Sequence, residues 1–253
     1  MVQELILLCL VAFAAGFIDA IVGGGGLLQT PATFLILPHY PAATLFGTVK
    51  IPSLMGTTVA AFRYSKAVKF NLNILVACVI AAFCASLLGA YSVSLIRNEV
   101  IKPVILGVLI IVALYTYFNK SFGIQKHTAH SVQKQILLAA LFGLVIGFYD
   151  GLIGPGTGSF LILVFIAVLG FDFVAASAHA KIVNIATNLA ALIYFTSTGH
   201  VLFEYALPMA AFNMFGAFLG AKLALLKGNK FIRIFFLVVV FGTILRFAYD
   251  VLG

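Results

Sequence analysis

Asp19 and Lys50 recur as Asp150 and Lys181 at a common offset of 131 residues, inside stretches that carry almost no other charge. A carboxylate or ammonium at the centre of a bilayer-spanning helix costs roughly 2.5–3.5 kcal/mol on insertion scales. Two such charges placed twice in the same register mark a duplicated chain whose halves each bring an acid and a base to a shared interior. A charged interior inside apolar helices points to a transporter.

Hydrophobic residues make up 63% of the 253-residue chain and charged residues only 9%, too few to wet the surface of a soluble domain of this length. Runs such as Leu72–Ile96, Val100–Phe118 and Ile232–Val251 reach or approach the roughly 20 residues needed to cross a bilayer. The class is therefore a polytopic, all-α membrane bundle. The net charge of +8 reads as membrane topology and not as nucleic-acid binding, because no basic stretch with interleaved aromatics lies outside the apolar segments. Cys9, Cys78 and Cys84 all sit in apolar helices and read as small packing side chains, not as metal or redox groups. Ala12-Phe13-Ala14 resembles a signal-peptidase site, yet Glu4 stands where a basic segment should precede it. Leu5–Val22 is expected to be a retained helix.

Residue n aligns with residue n+131 without a gap. Gly16-Phe17-Ile18-Asp19 meets Gly147-Phe148-Tyr149-Asp150, Lys50-Ile51 meets Lys181-Ile182, and Leu88-Gly89-Ala90 meets Leu219-Gly220-Ala221. The halves, 1–125 and 132–253, share one unit: a helix ending in a glycine-rich break, a short apolar segment, then three transmembrane helices. In half one the helix spans about 4–22, the break Gly23–Gly26, the short segment about 27–37, and the long helices about 42–62, 71–96 and 100–119. Half two gives about 134–153, 158–169, 173–197, 203–226 and 230–251. Short, glycine-interrupted segments at matching positions in two repeats are the sequence pointer to a transport site.

Loop charges predict orientation. If the broken helix and its short partner form a hairpin, the clusters Arg63/Lys66/Lys69, Lys120/Lys126/Lys134 and Lys227/Lys230/Arg233 fall on one face. The other face keeps Arg97, Lys102 and Arg246. The excess of cations on cytoplasmic loops favours this arrangement, which inverts the two repeats and places both termini outside.

The breaks Gly23-Gly24-Gly25-Gly26 and Gly154-Pro155-Gly156-Thr157-Gly158 unwind backbone at membrane depth, which is tolerated only where protein or a water-filled cavity covers it. Each following helix opens with free N–H groups and the positive end of its dipole, so two facing ends would bind an anion; Thr157 and Ser159 would add hydroxyl donors. The plainer alternative is that the glycines only allow tight packing. Lys181, Asn184 and Asn188 share one helix face, as do Lys50, Ser53 and Thr57. These lysines either contact an anionic substrate or pair with Asp19 and Asp150. The aspartates, each near the unfavourable C-terminal end of a helix, either form those pairs or carry a coupled proton. His179 reads as a satisfied helix-contact residue. His39, His127, His130 and His200 have no metal-ligand spacing, no cofactor is implied, and no catalytic set of an enzyme is visible. Gly89 and Gly220 read as packing points, and Pro31, Pro52, Pro103 and Pro208 as kinks or helix starts.

Gly16–Gly26, Gly147–Phe160 and Ala178–Val201 resemble the TauE/SafE sulfite exporter family of membrane proteins, over essentially the whole chain. The resemblance is strongest where GFYDG, GPGTGSF and the Ala180-Lys181-x-x-Asn184 piece follow in order. It implies a bacterial inner-membrane permease for small anions, often sulfur oxyanions or organosulfonates such as sulfite and sulfoacetate. It also carries a binding role onto the glycine breaks, Lys50, Lys181 and Asn184. Half one departs from half two, with Ser53 opposite Asn184 and Gly26 opposite Thr157, so a site built from both halves would be asymmetric. The expectation is a carrier working by alternating access, with an anion channel or a non-transporting membrane scaffold as the rivals. The expected partners are a small anion and the lipid bilayer, with the oligomeric state left open.

Overall fold

The computed structural model describes residues 2–93 and 131–252, and every regular element in them is helical. The helices are α1 (Val2–Val22), α2 (Gly25–Ile36), α3 (Ala42–Ser65), α4 (Leu72–Val93), α5 (Val132–Leu152), α6 (Thr157–Ala167), α7 (Phe173–Ser197) and α8 (Phe203–Leu252). The helix expected near 100–119, the charges Arg97, Lys102, Lys120 and Lys126, and His127, His130 and Pro103 lie outside the described residues. The two helices expected at 203–226 and 230–251 are present and meet at Gly228, whose backbone is non-helical (φ 69°, ψ −165°); together they carry the label α8. Helix α2 begins at Gly25, so the first break is narrower than the four-glycine run.

Five of these helices (α1, α3, α4, α5 and α8 over Phe203–Ile232) are long and apolar enough to cross a membrane. Their outward faces present Leu10, Ile80, Leu88, Leu141, Val145, Leu207 and Phe215, all exposed. In water that belt would be unfavourable, and in lipid it is the solvated face. Helices α2 and α6 are too short to span.

Small residues set the helix contacts. Along α4 and α5, Cys78 meets Gly143, Ala82 meets Gly147 and Ser86 meets Gly151, so the two run in the same direction. A Cβ on Gly143 would stand 2.7 Å from the Cys78 carbonyl oxygen, so any side chain there would push the helices apart. The counterpart contact, shifted by 131 residues, joins α1 and α8: Phe13 meets Gly216 and Phe17 meets Gly220, again in the same direction. Helix α3 runs with α1 and α8. Its Leu45 clusters with Leu8 and Ala12, its Tyr64 hydroxyl donates to the Ala20 carbonyl at 3.1 Å, and its Arg63 lies over the Phe218 ring. Helix α7 runs with α4, since Asn71 meets His179 and Ser86 meets Thr187. Between α3 and α7 the order reverses, with Thr57 against Asn184 and Gly47 against Phe195. Helices related by the offset therefore point in opposite directions, α1 against α5, α3 against α7, and α4 against α8.

These directions place Arg63, Lys66, Lys69, Lys134, Lys222, Lys227 and Lys230 at one end of the bundle. Glu4, His39, His200 and Glu204 lie at the other end.

Candidate functional site

Helix α1 ends because Gly23 turns left-handed (φ 75°), its amide donating to the Asp19 carbonyl at 2.8 Å. Gly154 repeats the turn at the end of α5 (φ 88°), its amide donating to the Tyr149 carbonyl at 3.2 Å. The chain then folds back into α2 and α6. A Cβ on Gly158 would lie 2.6 Å from the Gly23 Cα, so the two breaks meet backbone to backbone. The Ser159 amide donates to the Gly23 carbonyl (3.1 Å) and its hydroxyl to the Val22 carbonyl (2.9 Å). The start of α6 thereby satisfies orphan carbonyls at the end of α1.

The four charges pair across the halves. Lys50 Nζ lies 3.2 Å from Asp150 Oδ1 and donates to the Asp150 carbonyl at 2.8 Å. Lys181 Nζ lies 3.2 Å from Asp19 Oδ2 and donates to the Asp19 carbonyl. Each ammonium thus sits at the negative end of the other half's first helix and neutralises both the dipole and an aspartate that would otherwise oppose it. The surroundings of the two carboxylates differ. Asp19 also accepts from the Gly25 amide (3.4 Å) and from the Thr57 hydroxyl (3.3 Å). Asp150 is buried and its Oδ2 has no hydrogen-bond partner among the described residues.

A cavity lies at this meeting point, with about 370 Å³ of empty space, part of it open to solvent. Backbone at Gly23, Gly26, Gly154, Gly156 and Gly158 lines it, with Thr157. Lys50, Ser53, Asn184 and Asn188 supply side chains, and Asp19 and Asp150 contribute the acids. Four expected site residues do not line it. Gly24 caps α2 and Gly25 opens it, with the Gly25 amide directed to Asp19. Lys181 is spent on Asp19, and Ser159 on the end of α1. The expected hydroxyl donors are also engaged, because Thr157 donates to the Gly154 carbonyl at 2.7 Å and Ser159 to Val22. Unwound helix ends leave carbonyls that nearby hydroxyls satisfy first.

A scan of the chain against family models matches the sulfite exporter TauE/SafE family over residues 8–247. The chain belongs to the sulfite exporter TauE/SafE family. It is 35% identical over 249 residues to a probable membrane transporter protein of Haemophilus influenzae, covering 97% of this chain and 94% of that protein. It is 33% identical to the probable membrane transporter protein YfcA of Escherichia coli K12 (92% of this chain, 86% of that protein). The probable membrane transporter protein ORF9 of a Sinorhizobium species is similar at 33% (94% and 90%). No solved structure matches. As a TauE/SafE protein the chain is a multi-pass membrane transporter.

Sequence reasoning missed part of this TauE/SafE site. Thr30, Val49 and Ile153 also line the cavity. Asn213 donates to Gln29 Oε1 at 2.9 Å between α8 and α2, both amides being buried. Neither amide recurs at the offset, where Phe160 and Ala82 stand, so the repeat gave no signal for them. His179 is satisfied, as its position suggested, with Nδ1 on the Ala175 carbonyl (2.7 Å) and Nε2 accepting from the Asn71 amide (3.0 Å). Among the described residues no group of three or more His, Cys, Asp or Glu could hold a metal ion.

Proposed function

We propose that this TauE/SafE chain carries a small anion, a sulfur oxyanion such as sulfite or an organosulfonate, across the bacterial inner membrane by alternating access. On this reading it is a carrier and not an enzyme. Residues 1–125 and 132–253 act as inverted repeats, a reading supported by the opposite directions of offset-related helices. The lysine-rich end is cytoplasmic and the termini are periplasmic. The observation that carries the proposal is the meeting of the α2 and α6 N-termini, one from each half, over a cavity whose lining lysine, Lys50, is cancelled by Asp150, as Lys181 beside it is by Asp19. With side-chain charge balanced, the helix N-termini, Ser53 and the Asn184 amide remain to favour an anion.

Asp150 couples that anion to a proton. Among the described residues its Oδ2 has no donor, and protonation would leave Lys50 uncompensated beside the cavity, adding one positive charge where the anion binds. Asp19, held by three donors, keeps a structural role.

A thermal-shift series with sulfite, thiosulfate, sulfate, sulfoacetate and taurine tests the binding claim, since a ligand of the folded state raises the melting temperature with occupancy. At least one sulfur anion should shift it, and silence from all five would reject the site. In proteoliposomes, flux should saturate and respond to a proton gradient, and Asp150→Asn should abolish that response. Ohmic single-channel current would reject the carrier.

A further inference from the structure

Two contacts at opposite ends of the bundle are counterparts under the offset. Near the lysine-poor end, Thr48 of α3 donates its hydroxyl to the Thr44 carbonyl (2.7 Å) and accepts from the Leu202 amide (3.0 Å). Near the lysine-rich end, the His179 ring of α7 pairs Nδ1 with the Ala175 carbonyl (2.7 Å), and its Nε2 accepts from the Asn71 amide (3.0 Å). Thr44, Thr48 and Asn71 correspond to Ala175, His179 and Leu202. In each contact the third helix of one half grips the residue that opens the fourth helix of the other half. Asn71 caps α4 through its side chain on the Ile74 amide (3.4 Å), and the Leu202 carbonyl accepts from Tyr205 and Ala206 at the start of α8.

We propose that these contacts are latches holding the two faces of the transporter shut, and that protonation of His179 releases only the latch on the lysine-rich face. This inference rests on the alternating-access reading, in which separating the halves at one face must break that face's inter-half contacts. To accept from Asn71, Nε2 must be bare, with the ring proton on Nδ1. A second proton on Nε2 sets N–H against N–H and ends the bond. The threonine counterpart has no such state, because a hydroxyl donates and accepts at any ordinary pH.

The ring is buried and enclosed by Phe70 (5.1 Å), Phe165 (5.5 Å) and Phe171 (4.6 Å), ring centre to ring centre, from the α3–α4 connection, α6 and the α6–α7 connection. The charged group that bears on it is Asp172, whose carboxylate is occupied in capping α7 through the Ala175 amide (2.9 Å). Lys66 and Lys69 belong to the connection that carries Asn71. Burial strips a charged imidazole of its hydration, a cost that the Ala175 carbonyl and Asp172 offset only in part, so protonation favours an arrangement in which the ring reaches water. The transporter is thereby biased toward opening to the lysine-rich side when that side turns acidic.

Hydrogen exchange of the full-length protein in lipid nanodiscs, with no anion added, tests this directly. Protection factors, already corrected for the intrinsic effect of pH, are compared for peptides covering 68–75 and 200–206. Between about pH 7.5 and about 4.5, a range carried below that of free imidazole because burial disfavours the charged ring, protection over 68–75 should fall about tenfold, the change that losing one buried hydrogen bond of about 1.4 kcal/mol gives. Protection over 200–206 should stay constant. In His179→Gln, whose amide oxygen accepts at every pH, the 68–75 response should vanish. Parallel changes in both peptides of the wild type, no change in either, or a persisting response in His179→Gln would each overturn the latch. The wild-type comparison decides the matter even if the variant folds poorly. Failure here leaves anion binding untouched, and failure of the anion screen leaves this exchange result standing.

Discussion

Replacing Lys50 with methionine removes a buried cation and leaves Asp150 with no side-chain partner among the described residues, since Lys50 is the group paired with Oδ1 and Oδ2 has none there. The two side chains are only 5% and 3% exposed, so water cannot compensate. Breaking a buried pair of this kind costs about 3–5 kcal/mol. Lys181→Met is the internal comparison. It leaves Asp19 with the Gly25 amide and the Thr57 hydroxyl, and that side chain is 19% exposed. Its cost should be about 1–3 kcal/mol, because the remaining charge is still hydrogen-bonded. Lys50→Met/Asp150→Asn should recover at least about 1.5 kcal/mol relative to Lys50→Met, since the orphaned charge is gone. Reversible denaturant unfolding in mixed micelles measures all three. Equal losses in the two lysine variants, or a double variant no more stable than Lys50→Met, would refute both the cross-half pairing and the inequality of the two aspartates.

Gly158→Ala should destabilise by about 1–3 kcal/mol, because its Cβ would fall 2.6 Å from the Gly23 Cα of the other half. Gly199→Ala, which has open space but φ 73°, should lose only the backbone cost of about 1–2 kcal/mol and leave transport intact; unfolding and flux assays separate the two. Ser159→Ala should lower stability by about 1 kcal/mol through the lost bond to Val22, while the anion concentration for half-maximal flux stays unchanged. Asn184→Ala should do the reverse, raising that concentration about tenfold with little change in melting temperature, as expected for a lost hydrogen bond to a charged ligand.

The repeat made much of this legible. Helix α7 begins and ends at the residues its pattern marked, 173–197, and both short helices follow the glycine breaks. Of the polar stripes, Lys50 and Ser53 of α3 and Asn184 and Asn188 of α7 line a common cavity, whereas Thr57 and Lys181 do not. The partner exchange was not legible, because an offset reveals equivalent positions without saying which copies touch; here Asp19 finds Lys181 and Asp150 finds Lys50. Ser159 looked like a ligand donor since a hydroxyl beside a glycine break suits an anion, yet the unsatisfied end of α1 claims it. Thr48 and His179 share no chemical class, only the capacity to accept an amide, so the offset aligns their positions but geometry alone reveals their common contact. The separation between the helices expected at 203–226 and 230–251 falls at Gly228, where the left-handed φ that glycine tolerates interrupts the helix.

The central claim is that an anion sits where the two glycine breaks meet. Selenite, a heavier relative of sulfite, allows it to be located by anomalous scattering from crystals of the full-length protein. The account predicts one strong peak within about 3.5 Å of the backbone amides at Gly26 or Gly158 and beside Asn184. A peak confined to the lysine-rich surface, or none at a saturating concentration, would contradict it.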